Sequence, residues 1–171
     1  MRDAQGRKYK VMANSTDNKR GTVILIAEDL NCDTVATYRE QNDNVLMVLV
    51  NYQGKKLMLG SIYGPNNTSR EFYSFLRQVL RTVEYDYTIL GGDWNTVWDG
   101  NELPDNIDVL NMQTIPNIQN QVMLHNMANE FGLTDPYRAI KPNIREYSYC
   151  PFGTKRLIRS RLDFFWYQTA W

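Results

Sequence analysis

Short apolar runs separated by polar turns fill the first half of the chain and predict a row of β-strands. Structure is expected to begin at Gly21, because residues 1–20 are polar, lack periodicity and are expected to be a loop or a poorly ordered start. The Gln53-Gly54 pair between the last two runs is typical of a hairpin turn. The four predicted strands are residues 22–28, 34–39, 44–52 and 55–63.

After a break at residues 64–67 the apolar spacing changes to three and four, which is typical of a helix. Thr68 or Ser69 can cap this helix. A second helix is expected at residues 118–131, where Gly132 ends it. The apolar positions are Phe72, Phe75, Leu76, Val79 and Leu80 in the first helix, and Ile118, Val122, Met127 and Phe131, all expected to face inward, in the second.

Between the two helices, residues 87–95 (Tyr-Thr-Ile-Leu-Gly-Gly-Asp-Trp-Asn) read as a buried strand with polar chemistry at its end. Asp93 and Asn95 share one face if the chain stays extended. A carboxylate can take a proton or hold a metal, and a neighbouring amide can donate to a phosphate or orient a nucleophile. The same residue types are common in turns, so a simple turn stays open as an alternative.

The remaining segments predict a long loop and two closing strands. Residues 99–117 are expected to be a functional loop, since loops of that length in a compact domain are more often functional than idle. Strands are expected at residues 146–150 and 161–167, with a basic loop between them. His125, the only histidine, is expected to be a solvated surface residue. Strands followed by helix, strand, helix and strands predict an α/β (α+β) fold rather than a regular parallel alternation.

Composition indicates one globular domain over residues 1–171, with 43% hydrophobic residues. The 19 basic and 19 acidic side chains cancel, so contact with nucleic acid must rest on local patches. Cys32 and Cys150 have neither zinc spacing nor a disulfide framework, and the polar start is not a secretory signal. We therefore expect an intracellular protein, cytoplasmic or nuclear, and the short apolar runs predict that it does not cross a membrane.

Five segments together resemble the endonuclease/exonuclease/phosphatase superfamily, and they are most similar to the apurinic-type endonuclease domain of LINE-type (non-LTR) retrotransposon polyproteins. The segments occur in the family's order, and the resemblance extends from about residue 21 to residue 167. Agreement among several independent local signals makes a simple turn at residues 91–95 a much weaker interpretation. The segments are Ser-Ile-Tyr-Gly-Pro-Asn (61–66), Leu-Gly-Gly-Asp-Trp-Asn (90–95), Gly-Leu-Thr-Asp-Pro-Tyr-Arg (132–138), Glu-Tyr-Ser (146–148) and Ser-Arg-Leu-Asp-Phe-Phe (160–165).

The resemblance implies a four-layer αββα sandwich of the DNase I-like type that hydrolyses phosphodiesters, with Mg²⁺ or Mn²⁺ as cofactor and DNA as partner. Asp93 would orient or deprotonate the attacking water, and Asn95 would contact that water or the scissile phosphate. Tyr63 and Asn66 would contact the phosphate, and Asp135 would pair with a histidine. Tyr63 as a core aromatic and Asp135 as a side-chain turn before Pro136 stay open. Further phosphate or DNA contacts are expected from Arg138, Lys155, Arg156 and Arg159, with Arg161 adding to the same basic edge.

Other parts of the family's site have no counterpart in this sequence. These are the opening strand with its asparagine, the Gln-Glu-Thr segment with its metal-binding glutamate, and the closing Ser-Asp-His motif. We therefore expect a single partial domain, truncated at both ends, with no metal ligand assigned and with Asp163 of mostly structural importance. Exposed sheet edges would favour self-association or a second chain.

Two functional interpretations stay open. The chain is either a fragment of a DNA-nicking endonuclease, inactive alone, or a non-catalytic remnant or scaffold that uses the same surface for binding. A sphingomyelinase-like or inositol-phosphatase relative is a weaker third interpretation, because the amino-acid sequences of residues 63–66 and 160–163 are more similar to the retrotransposon group.

Overall fold

The computed structural model of the chain describes residues 1–16, 20–98, 106–111, 117–151 and 157–169. Its helices are α1 (Arg70–Thr82), α2 (Ile118–Phe131) and the short α3 (Pro136–Ile140). Its strands are β1 (Tyr9–Asn14), β2 (Thr22–Ala27), β3 (Asp33–Arg39), β4 (Val45–Tyr52), β5 (Lys55–Tyr63), β6 (Tyr87–Asp93), β7 (Val109–Leu110), β8 (Arg159–Ser160) and β9 (Asp163–Thr169). None of the helices in these described stretches combines the length and the apolar character needed to span a membrane.

A five-stranded mixed sheet with the order β3-β4-β5-β6-β9 forms the centre of the fold. Its neighbouring strands are antiparallel except β5 and β6, which are parallel because α1 carries the chain back between them. The predicted first helix is confirmed, and the Ser69 hydroxyl caps it by accepting a hydrogen bond from the Phe72 amide. The α+β prediction is therefore confirmed.

Strand β4 explains how the layers pack, because residues 45–50 are buried on both faces of the sheet. One face packs against α1 and α2 through residues such as Met47 and Leu90. The other packs against the β1–β2 hairpin through Leu46 and Val48. Helices, central sheet and hairpin make three of the four expected layers within the described residues.

The hairpin covers the opposite face only over β4 and β5. On β6 and β9 the same face exposes Ile89 (42%), Phe165 (60%) and Tyr167 (38%). Apolar side chains gathered on one face are typical of a surface that packs against another element. The expected self-association or second chain stays a prediction.

Two expectations about strands are wrong. Residues 1–20 do not form only a polar loop, since all six residues of β1 pair with β2 and the buried Asn14 side chain donates to the Glu40 and Val45 carbonyls. A predicted strand at residues 146–150 is also absent, because this described segment makes only an isolated bridge between Tyr149 and Ser160.

The inward face of α2 differs from the prediction. Ile118 and Val122 are 60% and 53% exposed, while the polar Asn120 is fully buried. Asn120 is buried because its side-chain amide donates to the carbonyls of Pro65 and Asn67. The helix therefore turns a partly polar face inward to bind the loop after β5.

Candidate functional site

Strand β6 ends at Asp93, so Asp93, Trp94 and Asn95 lie at one end of the central sheet. Gly92 has a φ of 146° and lies so close to β5 that a β-carbon would collide with the Ile62 carbonyl oxygen. Gly64 is equally constrained, because a β-carbon there would meet the Trp94 carbonyl. Two glycines therefore allow the segments around residues 64 and 93 to touch backbone to backbone.

Trp94 anchors this segment in the core. Its side chain is fully buried and stacked on Phe164, with ring centroids 5.7 Å apart, and its indole nitrogen donates to the Phe164 carbonyl. Asp93 and Asn95, on either side of it, are only half-buried. A large buried ring between two polar residues holds both of them at the surface of a rigid core.

Asn95 does not continue the strand. Its φ of 49° is left-handed, and its backbone amide donates to Asp93 Oδ1 at 2.9 Å. Its side-chain Nδ2 donates to the Gly64 carbonyl at 2.7 Å. The turn interpretation is therefore correct for the backbone, and the condition for a shared face, a chain that stays extended to Asn95, is not met. The turn still fixes both side chains relative to each other.

Four of the predicted residues meet in one cavity of about 450 Å³, which we call the Asp93 cavity. They are Tyr63, Asn66, Asp93 and Asn95. Tyr63 is 37% exposed, so it is not a core aromatic. Tyr149, Ser160 and Leu162 also line the cavity and were not predicted as site residues. A phosphate group in this cavity would meet amide and hydroxyl donors beside a carboxylate.

Asp163 of β9 stands directly opposite Asp93 in the sheet. The Trp94 amide donates to the Leu162 carbonyl at 2.8 Å, which makes Asp93 and Asp163 a non-hydrogen-bonded pair, the arrangement that brings facing side chains closest. Burial raises the pKa of Asp93, the hydrogen bond from the Asn95 amide lowers it, and the charge of Asp163 raises it, so that the pKa lies above its ordinary value. Asp163 was not predicted as a site residue, because its position depends on the β6–β9 register.

Asp135 does not line the Asp93 cavity. Its carboxylate caps α3 by accepting from the amides of Tyr137 and Arg138, and it forms an ion pair with Arg161 at 2.5 Å. The side chain is 2% exposed. The alternative of a side-chain turn before Pro136 is therefore confirmed, and all of these contacts are structural.

Arg161 and Arg138 are likewise engaged by protein groups. Both form ion pairs with the fully buried Asp108, at 2.8 Å for Arg161. Arg138 also donates to the Ile144 carbonyl at 2.7 Å. Burial would raise the pKa of Asp108, but hydrogen bonds and charge from Arg161 and Arg138 outweigh burial, and the pKa is lowered. The expectation that Arg161 belongs to an open basic edge is wrong, and the contacts of Arg138 are those of a structural residue.

Of the other predicted basic residues, the structure describes Arg159 alone. Arg159 is exposed on β8, where it pairs with Leu110 of β7. Lys155 and Arg156 lie outside the described residues.

His125 is half-buried, so the expectation of a solvated residue is wrong. Its ring stacks on Trp98 with centroids 4.0 Å apart, and Nε2 lies 2.6 Å from the Trp98 carbonyl oxygen. These contacts tie the ring to a neighbouring loop residue, and the ring does not line the Asp93 cavity.

The donor set for a divalent cation consists of oxygens. Asp93 and Asp163 are partners across the β6–β9 ladder, although Asp163, like Asp135, lines a neighbouring cavity and not the Asp93 cavity. Mg²⁺ often uses one or two protein carboxylates and keeps several waters. Within the described ranges, no group of three or more His, Cys, Asp or Glu residues could hold a metal. The residues therefore fit a magnesium ion that is held by few protein ligands.

No known protein-family model matches this sequence. The fold is similar to solved structures. They include the AP endonuclease LMAP from Leishmania major (TM-score 0.68, 14% identity, 94% of this chain and 62% of that chain). Another is the 3′ phosphatase NExo from Neisseria bound to a product DNA hairpin (TM-score 0.66, 13% identity, 94% and 66%). A third is the endonuclease domain of TRAS1, a telomere-specific non-LTR retrotransposon (TM-score 0.60, 17% identity, 92% and 66%).

These identities are low, so the likeness establishes the fold. The chain spans 62–66% of the length of these three neighbours. The chain therefore has the DNase I-like fold of the endonuclease/exonuclease/phosphatase superfamily, to which these neighbours belong.

Proposed function

We propose that the chain is part of a divalent-metal-dependent phosphodiesterase that acts on DNA, and specifically of the DNA-nicking endonuclease of a LINE-type retrotransposon. The observation that carries this proposal is the convergence of Tyr63, Asn66, Asp93 and Asn95 on one cavity, with Asp163 opposite Asp93. The sequence segments around these residues resemble the family's motifs, and one of the similar solved structures is a retrotransposon endonuclease domain.

The chemistry follows from the position of each group. Asp93 has a raised pKa and therefore accepts a proton from water more readily than an ordinary aspartate. Asn95 uses one amide hydrogen to bind Gly64, which aims the amide and leaves the second hydrogen for a phosphate oxygen or the water. Tyr63 and Asn66 provide further donors to the charge that develops on the phosphate.

Asp93 and Asp163 are the residues that would hold the cation. Bound Mg²⁺ or Mn²⁺ would supply positive charge to the phosphate and lower the pKa of water. Two carboxylates without a third acidic neighbour in the described segments predict weak affinity. We therefore propose that this chain alone does not cut DNA, and that Asp163 rather than Asp135 is the second carboxylate of the site.

Binding of a fluorescein-labelled DNA duplex, followed by anisotropy with and without MgCl₂, tests the proposal. Magnesium should tighten binding to the wild-type chain, because it offsets two carboxylates that repel phosphate. Asp93→Asn should bind more tightly than wild type without magnesium and should respond less to it. Asp33→Asn is the matched control, since Asp33 is an exposed aspartate at the start of β3, three strands from β6. Absence of DNA binding, or the same magnesium response in wild type and Asp93→Asn, would refute the proposal.

A plasmid-nicking assay tests the predicted inactivity. The 171-residue chain should show no nicking above background with magnesium or manganese. Nicking by this chain that disappears in Asp93→Ala would show that the ligands present here suffice for catalysis.

A non-catalytic binding domain is the second candidate. Two observations favour it, namely the shortage of acidic neighbours around Asp93 and the engagement of His125 by Trp98. A domain of this kind would bind DNA with the same affinity with and without magnesium. The anisotropy experiment therefore separates the two candidates.

A further inference from the structure

We propose a second phosphate-binding subsite beside the Asp93 cavity, which takes another backbone phosphate of the same nucleic-acid strand. It rests on the proposed function in that the ligand is a nucleic acid. The subsite is a cavity of about 420 Å³ between Arg20, Asn44 and the loop at residues 64–69, here called the Asn44 cavity. Tyr63 and Asn66 line both cavities. A strand that crosses these two residues therefore reaches both.

Asn44 is the first observation that points to a ligand. It is 7% exposed and lies in the cavity wall. Its backbone carbonyl accepts from the Tyr63 amide at 2.8 Å and its backbone amide donates to Glu40, and within the described part of the chain its side chain makes no hydrogen bond. This side-chain amide reaches the space of the cavity, so it can donate a hydrogen bond to a ligand there without first losing a protein partner.

The loop between β5 and α1 presents few acceptors to the cavity. The buried Asn120 side chain donates to the carbonyls of Pro65 and Asn67, and Asn117 donates to the carbonyl of Asn66. These contacts direct three successive carbonyls toward α2. A loop whose carbonyl oxygens are bound on one side is a better surface for an anion on the other.

The end of this loop starts α1, a helix of 13 residues capped by Ser69. Ser69 is in the cavity wall, so the positive end of the helix dipole adjoins the cavity. Of the described residues in that wall, Arg20 is the charged one. A cation, side-chain amides and a helix N-terminus together match a phosphate.

Two carboxylates lie near Asn44, and their contacts show how they are compensated. Glu40 accepts from the backbone amides of Asn42 at 2.8 Å and Asn44 at 3.3 Å. Asp43 accepts from the amide of Thr16 at 2.7 Å. Neither Glu40 nor Asp43 lines the cavity. Glu40 is therefore compensated by protein donors outside the cavity, whereas Asp43 is compensated only at Oδ2, because its Oδ1 is buried without a hydrogen-bond partner in the described part of the chain.

The test is a set of DNA duplexes that each carry one uncharged methylphosphonate, bound to the wild-type chain and to Asn44→Leu. In the wild type, replacement of the phosphate that occupies the subsite should weaken binding about tenfold, as expected for a hydrogen bond to a charged group. Asn44→Leu should lose a similar factor on the unmodified duplex, and that methylphosphonate should then cost nothing more. Asn51→Leu, at the exposed far end of β4, is the matched control and should behave as wild type.

Arg20→Met provides a second variant, at an exposed position. It should lower the slope of log affinity against log salt concentration by about one. Equal methylphosphonate profiles in wild type and Asn44→Leu, or an unchanged salt slope in Arg20→Met, would overturn the subsite while DNA binding and the proposed function stand. No binding of any duplex would refute the proposed function, and the subsite with it.

Discussion

Replacement of Arg161 by methionine removes the cation that two buried carboxylates share. Arg161 is 6% exposed in its side chain and pairs with Asp108 at 2.8 Å and with Asp135 at 2.5 Å. Both carboxylates are almost completely sealed from water, so in the variant Asp135 loses its ion-pair partner without gaining solvent, while Asp108 keeps Arg138. Breaking one side of a buried ion pair costs roughly 3–5 kcal/mol. In a chain of this size that loss lowers the thermal midpoint by roughly 6–20 °C.

Urea unfolding followed by tryptophan fluorescence measures this effect, and Arg7→Met is the matched control. Arg7 pairs with Asp29 at the similar distance of 2.9 Å, but both side chains are about half exposed. The control should change the unfolding midpoint much less, because water replaces the lost partner. Equal midpoints for the two variants would refute the reasoning that burial makes the Arg161 network essential.

The same network predicts a pH dependence. The pKa of Asp108 is lowered in the folded state from the ordinary 3.8, so its stabilisation is present above that value and is lost as the pH falls through the folded pKa. The difference between wild type and Arg161→Met should therefore be full at neutral pH and shrink in acid. A difference that stays constant down to the acid limit of folding would contradict the lowered pKa.

Asp93→Asn should raise the thermal midpoint at neutral pH. The folded-state pKa of Asp93 is raised, so the wild type loses stability as the pH rises through it, and the neutral amide avoids that loss. The gain should vanish in acid, below the ordinary value of 3.8, and a gain independent of pH would contradict the assignment. Gly64→Ala should cost about 1–3 kcal/mol, because its new methyl meets the rigid Trp94 carbonyl. Gly60→Ala, which meets the end of a leucine side chain, should cost less, and urea unfolding compares the two.

Local sequence patterns were sufficient to predict the helices and strands whose formation depends on neighbouring residues. The spacing of apolar residues and the Ser69 cap predicted α1, and residues 87–95 predicted the strand β6. The strand is not buried as expected, because Ile89 on one of its faces is 42% exposed. Strand β1 was missed because its partly buried residues give weak alternation, and most of its order comes from pairing with β2.

Long-range partners were not predictable from spacing. Asp108 and Arg161 are 53 residues apart, and their ion pair exists only because the fold buries both. Asp163 reaches Asp93 through one particular register of β6 and β9, which a one-residue slip would abolish. The inward face of α2 was misjudged because Asn120 is buried to bind carbonyls of a loop more than 50 positions away.

The central claim is that Asp93 and Asp163 act as one carboxylate pair that a divalent cation occupies. A carbon-detected NMR titration of the Asp93 carboxyl group, in wild type and Asp163→Asn, tests it most directly. In the wild type, the pKa of Asp93 should lie above the ordinary 3.8. In Asp163→Asn, the pKa of Asp93 should be lower than in the wild type, because the neighbouring negative charge is gone. MgCl₂ should lower the pKa of Asp93 more in the wild type than in the variant. Identical midpoints in the two proteins, unaffected by magnesium, would contradict the account.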